Sequence, residues 1–284
     1  MNKGRLLKEP LHLLVFTDLD GTLLDHDTYS WEAAGPAMDM CRELHIPIII
    51  VSSKTRAEID ILRRKMDLSD PFVSENGGGI FFPVSSGDHT PPPDARLEGD
   101  LWRWSLGAEY PYLVQALREI RLELGWEIRG FSDMKVDEII ALTGLGPYEA
   151  RLAAEREYDE PFEIVRPLNP DLSVLRVAAA QRKLSVVSGG RFFHLMGNCD
   201  KGVAVRKLIY WYRGLSGRRI LTIALGDSEN DLPMLKVADC PVFVRSRHQV
   251  PSPVKGLERI RVTDEPGPAG WNRTVLEILK NSGI

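Results

Sequence analysis

Asp18 and Asp20 stand one residue apart in V-F-T-D-L-D-G-T-L-L-D, residues 15–25, directly after an apolar run from Leu11 to Phe16 that reads as a buried strand. Alternate residues of an extended chain share a side, so both carboxylates can look into one pocket at the strand's carboxyl end. That is where open α/β sheets place their chemistry. Gly21 follows and can take the positive φ that reverses a chain. Two carboxylates this close repel unless a cation sits between them. One use of the pair is to hold a hard divalent ion with oxygen ligands, Mg²⁺ foremost. The other is covalent, with an aspartate attacking phosphorus and carrying the group. Taken alone, D-L-D-G is also an ordinary turn. A calcium loop fits worse, because the later acidic positions and closing Glu of an EF-hand are missing.

Two further apolar runs end in polar residues. Ile46 to Val51 stops at Ser52-Ser53-Lys54-Thr55, and Ile220 to Leu225 stops at G-D-S-E-N-D, residues 226–231. Asp227 follows its strand as Asp18 follows its own. If the strands are neighbours, Asp18, Asp20, Asp227 and Asp231 make a hard-cation cage. Ser52 adds a hydroxyl, and the backbone near Ser52-Ser53 and Gly21-Thr22 adds N–H donors suited to phosphate oxygens. Lys201, opening a helix, can supply a cation for phosphate charge. Singly, Ser52 is an ordinary helix cap and Lys201 an exposed helix lysine; their joint order at strand ends is what points to phosphoryl chemistry.

The elements that must position these residues alternate strand and helix. A helix is expected from Ser30-Trp31 to about Leu44, with Pro36 tolerable only if it lies near the first turn, and another after Thr55, where Glu58 completes a capping box, to about Met66. A short strand, Pro71 to Ser74, precedes E-N-G-G-G. Strand-helix-strand order implies a parallel sheet with right-handed crossovers. Pro83 to about Gly99 is rich in Pro, Ser, Gly and Asp and reads as a loop or linker. Helical patterns at Pro111–Leu124, Lys135–Leu142, Pro147–Glu157 and Asp171–Arg182 then interleave with short strands near Glu127–Phe131, Phe162–Val165, Leu184–Val187 and Arg191–Leu195. The parallel pattern resumes with a helix at Lys201–Arg213, strands at Ile220–Leu225 and Pro241–Val244, and a last helix from about Asn272 to Lys280. The expected fold is α/β: a Rossmann-like parallel-sheet core, 1–83 and 196–284, with an inserted α+β domain at 84–195.

Composition narrows the partners. With 284 residues, 43% apolar and 27% charged, the chain is expected to be globular with a substantial core. A net charge of −4 and a pI near 5.9 leave no basic footprint, so no nucleic-acid partner is expected. No apolar run approaches the ~18 residues of a membrane span, and M-N-K-G-R-L-L-K-E-P lacks the apolar segment of a secretory signal. Cys41, Cys199 and Cys240 are without zinc spacing and read as reduced thiols of a cytoplasmic protein, monomeric or weakly dimeric.

D-L-D-G-T, the Ser after an apolar strand, the Lys and G-D-S-E-N-D, in that order, resemble the haloacid dehalogenase superfamily of phosphotransferases. An insertion between the Ser and the Lys resembles its C2-type cap, as in the Cof-like phosphatases, where S-E-N-G-G also has counterparts. The resemblance implies Asp18 as nucleophile, Asp20 as general acid and then base, and Ser52 and Lys201 on the phosphoryl group. It implies Mg²⁺ on Asp18, the Asp20 carbonyl and Asp227, supported by Asp231. A narrower resemblance, to the mannosyl-3-phosphoglycerate phosphatases, rests on V-S-S-K-T, A-L-T-G-L, R-E-Y-D-E-P-F, G-G-R-F-F-H-L-M-G and G-P-A-G-W-N. It implies hydrolysis of a small phosphorylated sugar-glycerate, 2-O-α-mannosyl-3-phosphoglycerate, to mannosylglycerate, a compatible solute; another sugar-phosphate phosphatase, glucosyl-3-phosphoglycerate or Cof-like, is the alternative. A phosphomannomutase-like transfer and a non-catalytic binding module are the competing expectations.

Such a substrate carries a carboxylate, sugar hydroxyls and a phosphate. Arg191 or Lys54 can take the carboxylate, Arg with bidentate geometry. Glu157 and Asp159 can accept from hydroxyls, His194 can donate or accept, and Asn76 of S-E-N-G-G joins this substrate set. Against this, Arg156 and Glu157 also fit a solvated helix face, Tyr158 and Phe162 a core, and Gly189-Gly190 a hairpin turn.

Overall fold

The computed structural model describes residues 12–84, 90–188, 191–217, 219–246 and 260–282. The polar lead-in before the first strand, the Gly189-Gly190 turn and residues 85–89 of the Pro-rich stretch lie outside the described residues. In chain order the strands are β1 (His12–Thr17), β2 (Ile48–Ile50), β3 (Phe72–Ser74), β4 (Gly79–Pro83), β5 (Arg96–Glu98) and β6 (Leu101–Ser105). They continue as β7 (Glu127–Gly130), β8 (Asp159–Arg166), β9 (Leu184–Ser188) and β10 (Phe193–Gly197). The last are β11 (Ile220–Gly226), β12 (Cys240–Arg245) and β13 (Arg261–Pro266). Among the described residues no helix is long and apolar enough to cross a membrane.

Backbone proximity divides the chain into two compact units. Described residues up to Val51 and from Lys201 onward form one, and those of Ser52–Asp200, Thr90 apart, form the other. The first unit is an all-parallel five-stranded sheet in the order β13-β12-β11-β1-β2. β1 sits between β11 and β2, so both of its edges are paired, and its LLVF run is buried throughout. The register pairs Thr17 with Leu225, which brings the residues after β1 beside those after β11. The α-helix runs Gly35–Glu43 after a 3-10 turn at Glu32–Ala34 rather than starting at Ser30-Trp31, which puts Pro36 in its first turn, and the Ala37 N–H donates to Asn272 Oδ1 at 2.8 Å. Trp271, fully buried, donates from Nε1 to Thr17 Oγ1 at 3.0 Å and ties the last helix, Gly267–Asn281, to the end of β1.

The second unit holds two antiparallel four-stranded sheets, β3-β4-β6-β5 and β7-β8-β10-β9. Helices Tyr110–Leu124 and Leu172–Gln181 bury Leu113, Leu117, Ile120 and Leu175 against Phe162 and Leu195 of the second sheet. The division departs from the expected boundaries at 84 and 195. β4 pairs with β6 along its whole length, so 52–83 clusters with the insertion, and β10 carries that sheet on to Gly197.

Three local expectations are corrected. The Pro83–Gly99 stretch was expected as loop, but Arg96–Glu98 pairs with Leu101–Ser105 across a two-residue Gly99-Asp100 turn, Gly99 at φ +62°. β8 starts at Asp159 rather than Phe162; pairing with β7 stops at Phe162, so the missing N–H of Pro161 interrupts no ladder on that side. The helix expected to reach Glu157 ends at Ala154, which moves Arg156 and Glu157 off any helix face.

The capping box after β2 is present: Thr55 Oγ1 accepts from Glu58 N at 3.2 Å, and Thr55 N–H donates to Glu58 Oε2 at 2.9 Å. The same hydroxyl donates to the Leu152 carbonyl at 2.9 Å, fastening the helix Arg56–Lys65 to the helix Pro147–Ala154. Thr55→Ala should therefore cost about 2 kcal/mol, a cap plus a buried hydrogen bond. Urea denaturation is expected to show a lower midpoint for the Ala variant and recovery in Thr55→Ser; an unchanged midpoint would contradict this.

Candidate functional site

Asp18, Asp20, Lys201, Asp227 and Asp231 all lie in the first unit, at the carboxyl ends of β1 and β11 or at the start of the helix Lys201–Ser216. Lys201 is not a surface lysine: it has no exposed surface, and its ammonium donates to Asp18 Oδ1 at 2.7 Å and Asp231 Oδ1 at 2.6 Å. Asp231 is equally enclosed, and its other oxygen accepts from Asp227 N, Ser228 N and Ser228 Oγ. One carboxylate thus folds the G-D-S-E-N-D loop and holds the lysine. Gly226 lacks the Cβ that would sit 2.4 Å from Asp231 Cβ, which lets the loop fold back on itself.

The Asp18 backbone is fixed from both sides. Its N–H donates to the Leu225 carbonyl at 3.0 Å, and its carbonyl accepts from Thr17 Oγ1 at 2.8 Å. Burial pushes the Asp18 carboxyl up to about 8, against the pull of Lys201 and with the added push of Asp231 and Asp20. Burial and then Asp231 push Asp227 up to about 6, with Lys201 opposing. Burial works against the charge on Lys201, but Asp18 and Asp231 overcome it and hold the ammonium above its ordinary value. The carboxylates outnumber the one ammonium among them, so the site has spare negative charge and wants a further cation.

The residues fit a divalent metal. Asp18, Asp227 and Asp231 each offer a carboxylate oxygen, all within 4.8 Å of one another, and hard oxygen donors suit Mg²⁺-like ions. Gly21 sits at φ +73°, and a Cβ there would lie 2.4 Å from Asp227 Oδ2. Gly21 is therefore required by both backbone conformation and the approach of Asp227.

The remaining expected site residues lie in the second unit. Ser52 is buried, directly after Val51, whose N–H donates to the Thr17 carbonyl at 2.8 Å. Its own N–H donates to the Val73 carbonyl, and its carbonyl accepts from Asn76 N at 3.0 Å. The Lys54 carbonyl accepts from Glu75 N at 3.0 Å, and the Lys54 ammonium lies 3.8 Å from Glu58 Oε1. Glu157 pairs with Arg56 at 2.9 Å, and His194 Nδ1 lies 2.7 Å from Asp159 Oδ2. Arg191 stands apart: it is exposed and donates to the Leu142 carbonyl at 2.6 Å, at the end of the helix Val136–Thr143.

Sequence reasoning missed Glu75 and left Arg156 as a surface candidate. The Glu75 carboxylate is buried and accepts from the backbone N–H groups of Glu157 (3.0 Å) and Tyr158 (2.8 Å). Burial pushes it up to about 8, with Arg156 opposing. Arg156 donates to the carbonyls of Ala153 at 2.8 Å and Ser53 at 3.2 Å. Glu75 and Asn76 adopt φ of +47° and +56°, and a Cβ on Gly78 would lie 2.2 Å from Tyr158 Cβ. The available signal was E-N-G-G-G itself, where Asn-Gly marks a left-handed turn and repeated Gly a close approach. Tyr158 and Phe162 are core, as the alternative reading had them.

Comparison with known proteins agrees with this geometry. A sequence-family model described as haloacid dehalogenase-like hydrolase matches residues 15–89 and 179–250. A glucosyl-3-phosphoglycerate/mannosyl-3-phosphoglycerate phosphatase of Methanococcoides burtonii is 41% identical over 274 residues, covering 95% of this chain and 99% of the relative. A protein of the same name from Persephonella marina is 36% identical over 269 residues, covering 94% and 97%. Among solved structures, a Thermoplasma acidophilum protein matches with a TM-score of 0.65 at 20% identity, over 95% of this chain and 99% of that one. The sucrose-phosphatase of Synechocystis matches with a TM-score of 0.58 at 14% identity, over 96% and 98%. At such identities the structures speak for the fold alone.

Gly21→Ala should displace Asp227 and weaken divalent-metal binding by at least about tenfold, because the new Cβ clashes and the φ becomes strained. Titration calorimetry with Mg²⁺, with circular dichroism to confirm folding, checks this; wild-type affinity would separate Asp227 from the metal. With the carboxylate cluster and the comparisons together, the chain belongs to the haloacid dehalogenase-like hydrolases, in the family of the glucosyl-3-phosphoglycerate/mannosyl-3-phosphoglycerate phosphatases, and is a phosphomonoesterase.

Proposed function

We propose that the protein is a Mg²⁺-dependent phosphatase that hydrolyses 2-O-(α-D-mannosyl)-3-phosphoglycerate, and its glucosyl analogue, to the glycosylglycerate and phosphate. The observation that carries the phosphoryl chemistry is the buried Lys201 ammonium bridging Asp18 and Asp231 beside Asp227. The substrate rests on the two relatives, whose shared name covers both glycosyl compounds.

Asp18 is the nucleophile. Its Oδ attacks phosphorus, the bond from phosphorus to the glycerate oxygen breaks, and Asp20 gives the leaving alkoxide a proton. Water then attacks the aspartyl-phosphate, with Asp20 taking its proton, and phosphate leaves with Asp18 restored. Lys201 favours the ionised form of Asp18 against the push of burial and offsets charge on the phosphoryl oxygens. Ser52, next in the chain to Val51, supplies a hydroxyl donor. Asp18, Asp227 and the Asp20 carbonyl would hold Mg²⁺, with Asp231 in support. When bound, Mg²⁺ supplies Lewis-acid neutralisation of the phosphoryl group. Within the second unit, Lys54 rather than the displaced Arg191 is the cation offered to the glycerate carboxylate.

Phosphate release is the test, with Mg²⁺ and with EDTA, across the mannosyl and glucosyl compounds, 3-phosphoglycerate and mannose 6-phosphate. Strong preference for the glycosylated glycerates, abolished by EDTA and restored by Mg²⁺, is expected. Asp18→Asn should lower kcat by at least about a thousandfold. Metal-dependent preference for a simple sugar phosphate would overturn the substrate and leave the phosphatase; full turnover in Asp18→Asn would overturn the nucleophile.

A further inference from the structure

The second unit contains a buried polar knot with no part in the phosphoryl chemistry. β8 and β10 pair antiparallel, with His194 opposite Pro161 and Met196 opposite Asp159. Asp159 and His194 are thus diagonal neighbours on one face of the sheet. Asp159 is fully buried; its Oδ2 lies 2.7 Å from His194 Nδ1 and 3.5 Å from an Arg156 guanidinium nitrogen. Asp159 Oδ1, also enclosed, has no hydrogen-bond partner among the described residues, and neither does Glu157 Oε2. Buried carboxylate oxygens are rarely left so unless something else supplies the donor.

The support behind this pair is rigid. Arg156 is tied to the Ala153 and Ser53 carbonyls and lies over the Phe131 ring, 5.8 Å from its centroid. Glu75, in a left-handed conformation, clamps the backbone of Glu157 and Tyr158 just before Asp159. A carboxylate cannot donate, so the neutral tautomer that suits this contact carries its proton on Nδ1 and leaves Nε2 as an acceptor. His194 keeps 17% of its side-chain surface, and among the described residues the hydrogen bond shown for its ring is the one to Asp159.

We propose that His194 is a specificity-determining contact that accepts a hydrogen bond from a sugar hydroxyl of the substrate through Nε2, and that Asp159 and Arg156 are the residues that position it. Of the three polar groups on a glycosylated phosphoglycerate, only the hydroxyl has a proton to donate; a lone pair repels the carboxylate and the phosphate. The inference rests on the sugar-glycerate reading above. Loss of such a contact is felt on the glycosylated substrate and spared on an ester without a sugar.

Steady-state kinetics on mannosyl-3-phosphoglycerate and p-nitrophenyl phosphate test it. His194→Asn keeps a donor at the Nδ1 position, which satisfies Asp159, and deletes Nε2. It should lower the ratio of kcat/KM for the sugar ester to that for p-nitrophenyl phosphate by at least about tenfold, chiefly through KM. His194→Gln, which restores a polar atom near the Nε2 position, should recover part of the loss. Asp159→Asn, whose amide donates to Nδ1 and moves the ring proton to Nε2, should lower the ratio as well. A wild-type ratio in His194→Asn would overturn the inference, and so would equal losses on both esters in the Asn and Gln variants, which would make His194 structural. Absence of any sugar-ester preference in the wild-type enzyme would instead overturn the substrate reading, and this inference with it.

Discussion

A lysine ammonium with no exposed surface is tolerable only if oxygens replace its lost water, and Lys201 has carboxylate oxygens from Asp18 and Asp231 at hydrogen-bond distance. Much of the first unit follows from that requirement. Asp18 must end a strand next to the strand that ends at Asp227 and Asp231, and the parallel pairing of β1 with β11 provides this in register. Asp231 must face inward, so its second oxygen is spent on the backbone of its own loop. The end of β1 must not move, and Trp271 from the last helix fastens it through Thr17. Removing one member would leave another charge buried without compensation, which costs far more than the pair contributes.

The same constraint governs the chemistry. A carboxylate as enclosed as Asp18 tends to take a proton, and a protonated carboxyl is no nucleophile. The lysine counters that tendency, and a metal among Asp18, Asp227 and Asp231 would counter it further. The second unit follows a parallel logic with different members. Arg156 is largely enclosed among Asp159 and backbone carbonyls, with Glu75 near, and the strained Glu75-Asn76 turn is held by what it caps. In both units the buried cation, Lys201 in one and Arg156 in the other, is held by fixed neighbours in place of water.

The strand tips were legible in the sequence because burial on both faces makes central parallel strands continuous apolar runs, and their ends are then unmistakable. Asp18, Asp227 and Asp231 were found that way, Lys201 by its place at the start of a helix, and the Thr55 capping box by its spacing. What escaped depends on pairing over long separations. β13 is an edge strand whose R-V-T-D-E-P carries too few apolar residues to signal itself. The β5–β6 hairpin was hidden by the prolines before it, although Gly99-Asp100 marked its turn. Pro161 disguised the start of β8, which in turn sent Arg156 and Glu157 to a helix face they do not occupy. Arg191 was chosen for its chemistry alone, and the structure sends it to the Leu142 carbonyl. The electrostatic partner of Arg156, Glu75, lies eighty-one positions earlier, which no local pattern reveals.

The central claim is that Asp18, held beside the Lys201 ammonium, becomes covalently phosphorylated during turnover. An acyl phosphate caught by rapid acid quench is reduced by borohydride to an alcohol, which converts the labelled aspartate to homoserine, and peptide mass spectrometry reads the position. The account predicts homoserine at position 18 in enzyme quenched during turnover, with Asp20, Asp227 and Asp231 unchanged. Homoserine at another of these positions, or an intact Asp18 in enzyme that is releasing phosphate, would contradict it.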